Sequence, residues 1–579
     1  MANLDPDTKF LEFLEQSFEE ELDFYPQKKT IIGRKDAMDK LDSYSPQAFK
    51  AINAFWRNKK DQFALIDPTL LNSANKLNYD LYSYLIDEKI AEIPWTYHEY
   101  VLEHKRGPHV NFPVFMANNH EITNIEEARS YITRVRAVEE QLSGLTDFLY
   151  EQKAKGIFLP RFVYEEVLTS IKQLLRGYPF EQKRNLHPIW QDFAAKIENK
   201  AWIGAQQKKS LQEDLKIALI GNFKRAYKKL SFHVKNIKKL ANSDLGAWKH
   251  EQGDSYYQHK IKRYTSLDIS PAEVHQLGLK EVQRIHNEMT AIMAKIGFQG
   301  TLKDFFSHVN NRPQAYCSAG KKGRAECLKM NRNFINNIKN QQSKYLSLKI
   351  KDDLLVKGVE TYREKTSALA FYERPSLDHR RPGIYYLNLV DPKRLPIYEL
   401  EALAYHEGIP GHHLQISISQ NVKLPNFRKF YFLTAFSEGW ALYAEKFPKE
   451  LGFYEDPYSD YGRLSMELWR ACRLVLDTGI HAKKWTKEQA ISYLLENTSR
   501  TEAEAVSSTE RYTVWPGQAI SYKIGMNHIM TMREKAKKRL GKNFNLADFH
   551  DQILNSGSLP LFLLEEKIDR WLQDRASHS

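Results

Sequence analysis

In YELEALAYHEGIPGHHLQ (Tyr398–Gln415) an imidazole and a carboxylate stand side by side, His406 and Glu407, and two further imidazoles, His412 and His413, follow closely. A neighbouring histidine and glutamate on a helix open the H-E-x-x-H arrangement. There, histidines one turn apart share a zinc ion and the glutamate acts as general base. Where the second histidine would fall, this chain has Pro410. On an unbroken helix His412 would point about 120° away from His406, and His413 would lie about 10 Å further along the axis. Neither could share an ion with His406. Pro410 cannot donate to the carbonyl of His406 and Gly411 tolerates unusual backbone, so Gly408–Gly411 is expected to bulge from the helix and return it to phase.

A hydrolytic zinc site commonly takes three protein ligands and leaves a fourth position open. FSEGWALYAEKF offers the third, because Glu438 sits among Phe436, Trp440 and Leu442, and a carboxylate buried by such neighbours needs a cation. Glu445 falls on a similar face two turns later and is the alternative. ERYTVWPGQAISYKIG supplies Arg511, Tyr512, Tyr522 and Lys523. A tetrahedral oxyanion needs a donor besides the metal, and Arg511 or Lys523 could meet a substrate carboxylate, which would make the enzyme a carboxypeptidase where an oligopeptidase is the other expectation. Asp477 and His481, four apart in RACRLVLDTGIH, could form a second metal pair, but are expected instead to orient ligands or line the substrate pocket.

These residues need elements to hold them. RRPGIYYLNLV alternates after a Pro-Gly turn, which predicts a strand over about 382–390 whose exposed edge could pair with an extended peptide; its Tyr385 joins the substrate-side candidates. The metal helices are expected over about 398–418 and 430–447. From Asp5 to about Thr265 the pattern is helical throughout, as in PRFVYEEVLTSIKQLL. A fresh helix starts at Pro271, with Ser270 as N-cap and Glu273 three residues on. The division expected is therefore an α-helical scaffold over 1–268 and a catalytic region over 269–579.

At 579 residues with 42% hydrophobic content, the chain exceeds what one core usually supports. No apolar run reaches 18 residues and the N-terminus is acidic, so no membrane span is expected. The expected compartment is cytoplasmic as given, or periplasmic or secreted if a signal segment was removed. Three cysteines, Cys317, Cys327 and Cys472, without a C-x-x-C pair exclude a thiolate zinc site, and reduced thiols are expected. The net charge of +13 is densest in KRAYKKLSFHVKNIKKLAN. Its lysines recur between Tyr227, Leu230, Val234 and Ile237, the pattern of a solvated helix face, and no nucleic-acid partner is expected.

HEGIPGHHLQ, FSEGWALYAE, WRACRLVLDTGIH, ERYTVWPGQAISYKIG and FHDQILNSGSLPL occur in an order that resembles a large, mostly bacterial family catalogued as a domain of unknown function and placed in the gluzincin metallopeptidase clan. The resemblance covers nearly the whole chain. It implies a mainly α fold, zincin-like, with a small β-sheet beside the metal helix, and zinc peptidase chemistry on short peptides with one Zn2+. It implies His406 and Glu438 as ligands and Glu407 as general base, with His412 or His413 completing the set. Gly411-His412 repeats the Gly-His that closes the motif in several gluzincins, which favours His412 and leaves His413 for the substrate. Late-helix tyrosines of related gluzincins imply Tyr512 as oxyanion donor, with Tyr522 second. The alternative expectation is a catalytically inactive peptidase fold used for binding.

Overall fold

The structure, a computed structural model, describes residues 5–182, 185–359, 364, 368–375, 381–391 and 395–577. It is mainly helical with one three-stranded sheet, and it divides into two compact units. The first comprises Met1–Leu245 and Lys249–Gln252, the second Gly246–Trp248 and Gly253–Ser579. Helix Gly253–Thr265 therefore belongs with the second unit, where the sequence division at 268/269 would place it with the scaffold. It packs against helices Thr434–Lys446 and Ser521–Leu540, and Tyr257 donates to Asp477 at 2.6 Å.

In the first unit, helices begin where capping residues allow. Asp5, Ser45, Asn72 and Asn124 each accept a backbone N–H from the first turn of the following helix. The longest helix, Ile125–Ala154, packs against helix Lys224–Lys238. The latter buries Tyr227, Leu230, Val234 and Ile237 while Lys228, Lys229 and Lys235 stay exposed, the amphipathic arrangement its periodicity predicts.

In the second unit, helix Pro271–Lys295 starts as expected. Ser270 Oγ accepts from the Glu273 N–H, and Glu273 accepts from the Ser270 N–H at 2.9 Å. This helix lies along Pro457–His481, which is buried almost all round and forms the spine of the unit. Against the spine packs the motif helix Ile397–Glu407, and beside that the helix Thr434–Lys446.

The sheet has strand order β1-β3-β2: β1 (Leu354–Gly358) runs parallel to β3 (Gly383–Leu387), and β2 (Ala370–Glu373) pairs antiparallel to β3. The strand expected over 382–390 is thus β3, with a correction. It is the central strand with every residue buried, so it has no free edge; β2 is an edge. No helix is long and apolar enough to cross a membrane among the described residues, and all three cysteines are free thiols.

Candidate metal centre

The motif helix ends at Glu407, and after four intervening residues a second helix, His412–Asn421, begins. This corrects the expectation of a bulge within one helix over 398–418. Pro410 ends the first helix, and Gly408–Gly411 forms a turn that lets the second start in a new direction. Trp440 Nε1 donates to the Pro410 carbonyl at 2.9 Å and pins the turn. Gly411 fits because nothing larger would: an ideal Cβ there would lie 2.0 Å from the His406 carbonyl oxygen. The last turn of one helix and the first residue of the next thus bring the His406 and His412 rings to 4.8 Å, nearly perpendicular.

Glu438 comes from helix Thr434–Lys446, held to the return helix by Ser437 Oγ donating to Gln415 Oε1 at 3.0 Å. Its Oε2 lies 3.5 Å from His406 Nε2 and 3.4 Å from His412 Nε2. One donor atom from each of His406, His412 and Glu438 lies within 4.8 Å of the others, a group able to hold a metal ion. Two imidazole nitrogens and a carboxylate oxygen are a donor set that suits zinc.

Behind His406 stands Glu445, whose carboxylate accepts from His406 Nδ1 at 2.7 Å. That bond places the proton on Nδ1 and turns Nε2 toward Glu438, the orientation a metal ligand requires. Glu445 therefore orients His406, and Glu438 is the carboxylate in the trio. Burial works against a charge on His406, but the Glu438 and Glu445 carboxylates outweigh it and hold its pKa at about 9. Burial likewise opposes ionisation of Glu438, yet His412 and His406 overcome it and keep this carboxyl well below its usual range. Glu407 differs. Burial raises its pKa, only partly offset by His406 and His412.

Above the trio opens a cavity of about 310 Å³, lined by His406, Glu407, His412 and Glu438 together with Tyr522 and residues of β2. Tyr522 arrives because helix Ser521–Leu540 packs tightly on Thr434–Lys446, where Gly525 meets Gly439. An ideal Cβ on Gly439 would be 2.5 Å from Gly525 Cα. The Tyr522 ring stacks on His406 at 6.5 Å, and Arg511 approaches its hydroxyl at 3.5 Å.

Other candidates take different places. His413 is not in the trio: it is fully buried, with Nδ1 3.0 Å from the Tyr372 hydroxyl and Nε2 3.1 Å from the Asp352 carbonyl. Burial lowers its pKa to about 4. It supports Tyr372, a cavity residue, and does not itself face the cavity. Tyr512 does not line the cavity either, because its hydroxyl accepts from Arg473 Nε at 3.1 Å; Tyr522 takes its place as the cavity-lining phenol of this motif. Lys523 is buried between Glu467 at 2.6 Å and Glu281 at 2.7 Å, which neutralise it away from any substrate. Tyr385 is buried in β3 and donates to Asn331 Oδ1 at 3.0 Å. Arg511 is tied to Gln518 and Tyr522.

Asp477 accepts from Tyr257 and from the Gly517 N–H, and burial raises its pKa to about 7 despite both bonds. His481 accepts from the Ala247 N–H and donates to the Tyr512 carbonyl. Both therefore brace the Tyr512–Gly517 segment and neither lines the cavity. Sequence reasoning missed the cavity residues Phe371, Tyr372, Arg374 and Phe432. A four-residue strand is too short for alternation to reveal it.

None of the curated proteins matches the chain. A solved structure from Colwellia psychrerythraea, described as that of a "putative lipoprotein", superposes with a TM-score of 0.94 at 30% identity over 98% of this chain and 100% of that one. A second, from Shewanella oneidensis, described as a "putative lipoprotein of unknown function", shares the fold at a TM-score of 0.74. Its identity is 18%, over 96% of this chain and 99% of that one. Residues 26–568 match the family described as "Bacterial protein of unknown function (DUF885)", and with the match spanning most of its length the chain belongs to that family.

Proposed function

We propose that the protein is a zinc-dependent metallohydrolase of the gluzincin type that cleaves short peptides. The observation that carries this reading is the convergence of His406, His412 and Glu438 beside the buried carboxylate Glu407 at the floor of one cavity. His406, His412 and Glu438 would hold the ion. When bound, zinc supplies Lewis acidity toward a carbonyl oxygen and lowers the pKa of water. Glu407 accepts a proton from the attacking water at a carboxylate oxygen and returns it to the leaving amine. Its raised proton affinity suits both transfers. Tyr522 donates from its hydroxyl to the oxygen on which negative charge develops, and Arg511 beside that hydroxyl steadies it. The edge of β2 offers backbone groups to an extended substrate.

The relatives' description favours the periplasmic or secreted alternative over the cytoplasm, which fractionation of the tagged gene product would test. The function itself is tested by metal analysis followed by a mass-spectrometric peptide-library screen. Glu407→Gln should keep stoichiometric metal and lose hydrolysis by ~10² or more. A folded protein without metal would instead favour the inactive binding fold, and a Glu407→Gln variant of near wild-type activity would overturn the assigned base.

A further inference from the structure

The cavity over the candidate metal centre carries a single guanidinium among its described lining residues, that of Arg374. Other basic groups of the region already have partners. Lys523 lies between Glu467 and Glu281, Arg473 donates to Tyr512, and Arg470 approaches Glu445 at 3.5 Å. Arg511 is bonded to Gln518 and approaches Tyr522. Arg374 has neither a hydrogen bond nor a carboxylate partner among the described residues, although burial disfavours its charge. A half-buried guanidinium without a counter-ion, facing a cavity, is matched by an anion that arrives with the ligand.

The position of Arg374 narrows the anion. It directly follows Glu373, the last residue of β2, so a peptide running along that edge meets the guanidinium where the strand ends. At about 310 Å³ the cavity is at the small end of ligand sites, a size that suits a terminal residue or two. Phe371, Ile416 and Phe432 add apolar walls for a side chain.

We propose that Arg374 binds the C-terminal carboxylate of the substrate, which makes the protein a carboxypeptidase for short peptides with an apolar last residue. The cleavage rests on the hydrolase reading above; the carboxylate recognition does not. Calorimetric titration separates the two. Protein as purified, carrying Glu407→Gln to suppress turnover, is titrated with Ala-Ala-Phe, with its C-terminal amide, and with acetyl-Ala-Glu-Phe-amide, whose only carboxylate is a side chain.

The free acid should bind at least ~30-fold more tightly than either amide, and Arg374→Ala should erase that difference, as expected for removing one partner of a buried charge pair. Arg374→Lys keeps the charge without the two-pronged geometry and should retain part of it. It carries the test should the alanine variant fail to fold. Acid-selective binding that depends on Arg374, with a wild-type protein that hydrolyses no peptide, would sink the hydrolase reading and leave this assignment standing. Equal binding of acid and amide, no binding of any of the three, selectivity that survives Arg374→Ala, or preference for the glutamate-bearing amide would each overturn it.

Discussion

His406 can serve a cation only while its Nε2 faces Glu438, and the 2.7 Å bond from Nδ1 to Glu445 enforces that orientation. Glu445→Gln should therefore weaken zinc affinity by about 10–100-fold without abolishing binding, the usual effect of losing a group that orients a ligand. Glu438→Ala removes the anionic member of the trio and should leave purified protein nearly metal-free. Equilibrium titration against a competing chelator ranks the two, and a larger loss for Glu445→Gln would reverse the assignment. The tyrosines allow a parallel contrast. Tyr522→Phe should lower kcat by ~10² with metal content intact, because the hydroxyl faces the cavity. Tyr512→Phe should chiefly lower thermal stability, because its hydroxyl accepts from the buried Arg473. His406, Glu407 and Glu438 were readable from residue type and neighbours alone. The choice of Tyr522 over Tyr512 was not, because both fall in one motif and only the packing of two helices decides which reaches the cavity.

Helices Thr434–Lys446 and Ser521–Leu540 owe their close approach to Gly439 and Gly525, and this approach sets the distance between Glu438 and Tyr522. An ideal Cβ on Gly525 would lie 2.0 Å from the Ala435 carbonyl oxygen, so Gly525→Ala must push the helices apart. The expected cost is ~1–3 kcal/mol of stability or more, with a fall in turnover as Tyr522 is displaced. Gly221→Ala is the control: no atom lies within 4 Å of its added Cβ, and stability should hold or rise slightly. Calorimetric melting of both variants checks this, and a neutral Gly525→Ala would show that the helix contact yields. At this scale the sequence displayed the reciprocal Ser270–Glu273 cap and the closeness allowed by Gly439. It did not display Gly439's partner, since long-range pairing leaves no local pattern. Nor did it separate a proline that bulges a helix from one that ends it, since Pro410 removes the same donor in both cases.

Acid stability is a property of the whole chain, because each unit buries histidines in the neutral state. Burial lowers His109 and His120 to about 3 and His187 to about 4 in the first unit, and His413 to about 4 and His550 to about 3 in the second. Unfolded, each would titrate near its ordinary value of 6.5. As pH falls through 6.5 the unfolded chain takes up protons that the folded chain refuses until about 3–4, so stability must fall with pH across that interval. Asp477 acts in the opposite sense. Its pKa is raised from 3.8 to about 7, so the unfolded chain loses that proton first and stability falls as pH rises between those values. Asp42, which burial raises from 3.8 to about 6, acts as Asp477 does; five histidines outweigh these two aspartates, and the net expectation is a Tm that drops from pH 7 to pH 5 at constant ionic strength. His109 isolates the cause, because both of its ring nitrogens are buried without a hydrogen-bond partner. His109→Leu removes a titrating group at similar size and breaks no side-chain hydrogen bond. It should raise Tm more at pH 5 than at pH 7, flattening the slope by one histidine's share. Parallel slopes for the variant and the wild type would mean that acid lability arises elsewhere, from carboxylates such as Glu467 that neighbouring cations hold ionised.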